Sequence, residues 1–348
     1  MKLAGAKFIH SFTVMVDIAS MLNNPFDLFF SGLSEEAAKN VELAEFFLAP
    51  AEKVAHFAGI QAIVEQVTRA KRIHIIDLEI RSGVQWTVLM QALVSQHESP
   101  LELLKISAIG STSKKLIEDT GKRLMSFVET MDVPFSFKVV MLPDMLDLKK
   151  DLFELGAEEA VAVCVENSLR SLTALQNRLD SIMKLFRHIN PRIVAVMEVE
   201  ANNNSPSFVN RFIEALFFYS AYFDCFDACM GRDNPNWMIA ESKYIRQEIR
   251  NIVATEGEER KIRHVKLDVW RKFFARFAMV ETELIKSSLY QASLLLNKIA
   301  PWSSCTLREK SAYWVEGYTN VFSFCLEIRQ ESKRVETIRT FHTPHSPL

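Results

Sequence analysis

Several short apolar runs of this chain end on carboxylates, and these are the residues with the most chemical reach. In RIHIIDLEIRSGVQW (72–86) the run Ile73-His74-Ile75-Ile76 delivers Asp77 and Glu79 into a polar loop. Arg81, Ser82 and a single glycine, Gly83, complete that loop before the next apolar stretch. AVAVCVE ends on Glu166, with Asn167 next, and RIVAVMEV carries Glu198 and leads to Glu200, Asn202, Asn203 and Asn204. Carboxylates and amides in such places can move protons, hold sugar hydroxyls or cap helices. In an open parallel sheet, ligands bind beyond the carboxyl ends of the strands, where the strand order reverses. The candidate ligand rim is therefore Asp77, Glu79, Ser82, Gly83, Glu166, Asn167 and Glu200.

Each chemistry makes a further demand. Dinucleotide and adenosyl cofactors need glycines in the first loop, so that backbone can approach the ligand closely. Here Gly83 stands alone, with Ile80 and Arg81 where small residues belong, and the run LLKISAIG (103–110) ends without a ribose-binding acid. No cofactor is expected on these grounds. Nucleophilic catalysis lacks both a G-x-S-x-G elbow and a Cys with a nearby His, so no catalytic residue is assigned. His74 lies inside an apolar run, the setting of a packed core histidine. Glu198 and Glu200, two apart, suit capping and loop hydrogen bonds better than acid–base work. Cys225 and Cys229 sit one helical turn apart, but the five cysteines make no metal framework and read as reduced, buried thiols.

For nucleic acid, the best segment is RQEIRNIVATEGEERKIRHVKLDVWRK, with Arg246, Arg250, Arg260, Lys261, Arg263 and Lys266. Glu248, Glu256, Glu258 and Glu259 interleave with them and cancel part of the phosphate attraction. The mixture reads as a salt-bridged helical face, with direct DNA binding left open. A net charge of -2 over 348 residues supplies no whole-molecule field toward nucleic acid or an acidic membrane.

The elements that must position these residues follow from periodicity. Strands are expected at IHIIDL, LLKISAIG, SFKVVML (136–142), AVAVCVE (160–166) and RIVAVMEV (192–199). Helices are expected at 84–96, 113–131, 169–189, 207–230 and 239–255, and at LYQASLLLNKIA. Asn190-Pro191 should stop the third of these. The ending, CTLREKSAYWV, a turn and then VFSFCLEI, has a hairpin pattern. The expected class is α/β: a Rossmann-like, methyltransferase-type core with a mostly parallel sheet, a terminal antiparallel hairpin and a small N-terminal helical cap. The division is 1–70 partial cap, with a capping-box-like Ser34, then 71–330 core and 331–348 frayed tail. With 49% hydrophobic and 24% charged residues the chain can fill such a core. The start lacks a long apolar h-region and no run is long enough to cross a bilayer, so a soluble, intracellular protein is expected.

Four ordered segments together resemble the plant GRAS family, which includes DELLA and SCARECROW-like members. RIHIIDLEIRSGVQWTVLMQAL resembles the VHIID block, through Ile73, His74, Ile75, Ile76, Asp77, Gln85 and Trp86. VPFSFKVV, with Pro134 and Phe135, resembles the start of the PFYRE block. INPRIVAVMEVEANNNSPSFVNRFIEALFFYSAYFDCFDA, with Glu200, Asn204, Arg211 and Phe212, is similar to the stretch after the second leucine-rich region. IRQEIRNIVATEGEERKIRHVKLDVWRKFF, with Glu256, Gly257, Arg260, Arg263 and Trp270, is similar to the arginine-and-glutamate block. The terminal SAW block keeps Trp314, but Ser323-Phe324-Cys325 replaces Ser-Ala-Trp, and the first leucine-rich region reads as shortened near Val54-Ala55. The resemblance implies a nuclear, non-catalytic transcriptional co-regulator. Its partners would be transcription factors and other GRAS proteins, with homo- or heterodimers among its assemblies and no membrane. A methyltransferase-like domain retaining S-adenosylmethionine or another small ligand at the rim is the alternative.

Overall fold

The structure, a computed structural model, describes residues 50–81, 83–96, 100–111, 113–201, 203–229, 232, 235–281 and 319–324. Its frame is set by short strands, most of them buried along nearly their whole length. β1 (Arg72–Leu78), β2 (Leu103–Gly110), β4 (Ala160–Glu166) and β5 (Ile193–Met197) carry mostly β-branched and small apolar residues on both faces, whereas β3 (Phe135–Met141), at the sheet edge, is mostly half-buried and has Ser136 and Lys138 on one face. Such runs suit a parallel sheet covered by helices on either side. Two further strands, β6 (Met279–Glu281) and β7 (Thr319–Phe324), complete the order β3-β2-β1-β4-β5-β7-β6. The order reverses at β1, which pairs in parallel with both β2 and β4.

The helices follow from amphipathic spacing. α1 (Pro50–Val67), α2 (Val84–Gln96) and α3 (Lys114–Glu129) cover one face. There Ile63, Val64, Trp86, Leu89 and Leu124 close over Ile73, Ile75, Ile106 and Ala162. Ser113 caps α3 by accepting from the Leu116 N–H, and the helix buries Ile117, Leu124 and Val128. The opposite face is covered by α5 (Gln176–Ile189) and α9 (Leu267–Ala275). Leu179, Ile182, Phe186, Trp270 and Phe274 pack there on Ile76, Leu78, Val163 and Val196. α5 stops at Asn190, in the left-handed conformation, just before Pro191.

A third apolar cluster lies in the insertion after β5. α6 (Phe208–Cys229), α7 (Pro235–Ala240) and α8 (Arg246–Ala254) enclose Leu216, Tyr219, Phe223, Trp237, Ile245 and Ile249.

Three expectations differ from what is observed. The helix expected over 169–189 is broken into a single turn, α4 (Leu169–Leu172), and α5. The Leu175 N–H turns back to the Leu172 carbonyl and the Thr173 hydroxyl to that of Leu169, which closes the first helix. The helix expected over 239–255 begins earlier, at Pro235, and passes through one wide π turn, Glu241–Ile245. The terminal antiparallel hairpin is corrected as well. β7 runs parallel to β5 on one side and to β6 on the other, so both of its described neighbours are parallel strands. The hairpin's first arm, Ser34, LYQASLLLNKIA and the tail from 331 lie outside the described residues.

Candidate functional site

At the reversal point, the chain leaves β1 through Asp77. Its side chain shares the β1 face of Ile73 and Ile75, which looks toward α2. There the Trp86 Nε1–H donates to Asp77 Oδ2 at 2.7 Å, with both residues buried. Glu79 turns the chain with φ 67°, its N–H bound to the Ile109 carbonyl. Ile80 is buried and packs toward Gly83. The Thr120 hydroxyl of α3 donates to the Arg81 carbonyl at 2.9 Å and accepts from Arg123. Gly83 has φ 70°, and a Cβ there would stand 2.7 Å from Thr120 Cγ2. The loop that would cradle a cofactor is therefore filled by its own side chains and pinned to α3. With no acid at the end of β2, where Gly110 is followed by Ser111, these residues do not fit an adenosyl group.

Of the other rim residues, Glu166 is buried at the end of β4. Asn167, with φ 50°, turns the chain while its N–H reaches the Met197 carbonyl. Ser82 lies outside the described residues. Glu198 and Glu200, past the end of β5, both accept main-chain N–H groups at helix starts. Glu198 Oε1 takes Leu169 N at 2.7 Å, and Glu200 Oε1 takes Leu267 N at 3.2 Å. Burial pushes the Glu198 carboxyl up to about 7, against the pull of Arg170 and of the amides at 169 and 170.

Behind Glu198 lies a partly buried ion network that sequence reasoning did not assemble. Glu248 of α8 pairs with the Arg170 guanidinium, lies 3.2 Å from His264 Nε2 and sits beside the buried Tyr219. Burial opposes its ionisation, yet Arg170 and His264 hold the Glu248 carboxyl down at about 2. The network bolts the helical insertion to the sheet edge. Arg170 and Glu248 are 78 positions apart, so only helical phase, which turns Glu248 with Ile249 and Ile252 toward the core, could have hinted at it.

His74 is fully buried, with Nε2 2.8 Å from Ser107 Oγ and Nδ1 3.1 Å from Glu159. Burial and then Lys105 push its pKa down to about 4, so it is neutral in the folded protein at ordinary pH.

The arginine-and-glutamate segment meets the Asn204–Arg211 segment in a clasp. Arg211, fully buried, donates from Nε to the Ile252 carbonyl and from one terminal nitrogen to the carbonyls of Ser205 and Pro206. Its other terminal nitrogen pairs with Glu256. Arg260, also buried, reaches the Ser205 carbonyl and Asn204 Oδ1, each at 3.3 Å. Arg263 donates to the carbonyls of Arg260 and Gly257. Phe212 stacks on the exposed Phe208, and Trp270 stacks on Phe274 within the core of the second sheet face. Gln85 is buried at the start of α2, and the carbonyl of Pro134, just ahead of Phe135 in β3, accepts from Leu104. Ser323 pairs with Val196 in β7, while Trp314 lies outside the described residues.

Among the described residues no group of His, Cys, Asp and Glu could hold a metal ion, and no helix is long and apolar enough to cross a membrane.

The sheet order, its reversal at β1 and the helices on both faces define a Rossmann-like α/β protein whose first loop is built for packing. The chain belongs to the GRAS domain family, whose profile matches residues 20–319. DELLA protein 2 of Medicago truncatula is 32% identical over 273 residues, which are 77% of this chain and 51% of that protein. DELLA protein RGL3 of Arabidopsis thaliana is 35% identical over 251 residues, 71% of this chain and 47% of that protein. The chain thus spans about half the length of the curated relatives it matches. The crystal structure of SCL7 from Oryza sativa superposes with a TM-score of 0.71 at 27% identity, covering 80% of each chain.

Proposed function

We propose that this chain is a non-catalytic transcriptional co-regulator of the plant nucleus. It acts through contacts with DNA-binding factors and with other family members, as homo- or heterodimers among other assemblies. Membership of the GRAS family, with its DELLA relatives, is the observation that carries the reading. The first loop supports it, because Asp77, Gly83 and Arg81 are engaged in holding α2 and α3. The basic segment supports contacts with proteins over direct base readout, because Arg260 is buried and Arg263 donates to main-chain carbonyls of its own segment. The outer face of α6 offers a surface for partners. Val209, Ile213 and Phe217, four apart, are 60%, 45% and 54% exposed. In this reading residues 71–330 are the core and 1–70 the cap, with α1 laid on the sheet.

Affinity capture from plant nuclear extract tests the proposal. DNA-binding factors should be enriched, and Ile213→Asp with Phe217→Asp should lose part of them. Recovery of no such factor above a blank matrix would overturn it. Calorimetry with S-adenosylmethionine separates the enzymatic alternative: saturable heat that disappears in Asp77→Ala would favour that alternative.

A further inference from the structure

The clasp holds more positive charge than its surroundings neutralise. Arg211, Arg260 and Arg263 lie together, and among the described residues the single carboxylate paired with them is Glu256, whose side chain is 64% exposed. The neighbouring Glu258 and Glu259 are exposed on a short turn. Apart from Glu256, the acceptors of the three arginines among the described residues are neutral oxygens: the carbonyls of Ile252, Ser205, Pro206, Arg260 and Gly257, and Asn204 Oδ1. A buried guanidinium without a counter-charge is costly, and one with an unfilled donor is costlier still. Arg260 is only 5% exposed, yet its Nε–H finds no acceptor, and its two terminal bonds are long at 3.3 Å. On the turn that carries Asn204 and Ser205, Asn203, 1% exposed, leaves both side-chain polar atoms without a partner among the described residues. This turn leads into the N-terminus of the 22-residue α6, where the helix dipole adds to the positive field. Burial, then Arg211 and Arg263, lower the pKa of Arg260, and Glu256 opposes them.

We propose that the Arg211–Arg260–Arg263 cluster at the start of α6 is a binding site for a phosphate dianion, with Glu256 holding its place on Arg211. A phosphate offers three oxygens to guanidinium forks and brings the two negative charges that the cluster lacks. The half-buried Arg263 and the exposed Ser207 and Glu256 mark its solvent side. The dianion can arrive as free phosphate or as the head of a phosphoserine.

The full chain is titrated with inorganic phosphate and, separately, with O-phosphoserine, at constant ionic strength, following the melting temperature and the heat of binding. Saturable stabilisation by at least one of them is expected, since a ligand that binds only the folded state raises its stability by mass action. Arg260→Lys keeps a charge but loses the fork, and should weaken binding by about tenfold or more. Glu256→Gln removes the competing carboxylate and should tighten it. Binding of O-phosphoserine about tenfold or more tighter than phosphate would name a phosphorylated protein as the source, and equal binding would name free phosphate. Absence of saturable binding by either ligand, or binding unchanged in both folded variants, would overturn the site.

Discussion

Asp77 occupies the place of a cofactor-binding acid and does the work of a packing anchor. Trp86→Phe keeps the ring in the core and removes the indole N–H that reaches Asp77. It should cost about 1–3 kcal/mol, the usual loss when a buried polar contact is stripped of its donor. Urea midpoints measure this, and an unchanged midpoint would mean that Asp77 does not depend on the indole. A second pair of substitutions separates backbone strain from crowding. Gly83 and Gly257 both have positive φ, 70° and 54°, but only Gly83 has a neighbour, Thr120, inside the space a Cβ would take. Gly257→Ala should cost about 1 kcal/mol for conformation alone. Gly83→Ala should cost clearly more, up to about 3 kcal/mol. Adding Thr120→Ser, which removes the clashing methyl and keeps the hydroxyl bonded to Arg81, should recover most of the difference. If Gly83→Ala behaves like Gly257→Ala, the loop is looser than this geometry implies.

At the scale of elements, the short apolar runs made the first five strands readable in the sequence, because β1, β2, β4 and β5 are buried on both faces, while the half-buried edge strand β3 keeps enough apolar residues to read as one. The end of α5 was equally readable, since Asn190-Pro191 is a local stop. The break at 173–175 was not, because the apolar spacing carries on through it while hydrogen bonds of Thr173 and Leu175 interrupt the helix. Nor was the parallel course of β7 readable, since a short alternating strand looks the same in either direction. The candidate rim was legible as a set of strand exits, but its use was not. Whether a carboxylate at such an exit meets a ligand, an indole or a helix start depends on elements that arrive from elsewhere in the chain. The Arg170–Glu248 pair is the clearest case. Glu248→Leu leaves a partly buried guanidinium without its partner and should cost about 1–3 kcal/mol. Arg170→Met together with Glu248→Leu should recover a large part of that loss, because both desolvation costs go at once. A double-mutant cycle on unfolding midpoints measures the coupling. Additive losses would mean that the pair does not hold the insertion to the sheet.

For the whole molecule, two buried groups pull the pH dependence of stability in opposite directions. The His74 pKa falls from 6.5 to about 4 on folding. As pH drops through that window the unfolded chain takes a proton that the folded one refuses, so stability declines toward acid. Glu198 rises from 4.5 to about 7. Between those values the folded chain keeps a proton that the unfolded one releases, so stability declines toward base. Each effect amounts to roughly 3 kcal/mol across its window, and the two oppose each other between about 4.5 and 6.5. Glu248, held at about 2, adds a loss below 4.5, where the unfolded carboxyl protonates first. The intact protein should therefore show a nearly flat stability profile from about pH 4.5 to 6.5, falling on either side. Glu198→Gln keeps an acceptor for the Leu169 N–H and removes one titration. Its stability should climb by roughly 3 kcal/mol from pH 4 to 6.5, and the decline toward pH 7 should disappear. Urea midpoints at half-unit pH intervals resolve the two profiles. If Glu198→Gln runs parallel to the intact chain throughout, Glu198 does not hold a proton at the sheet edge, and the flat region has another origin.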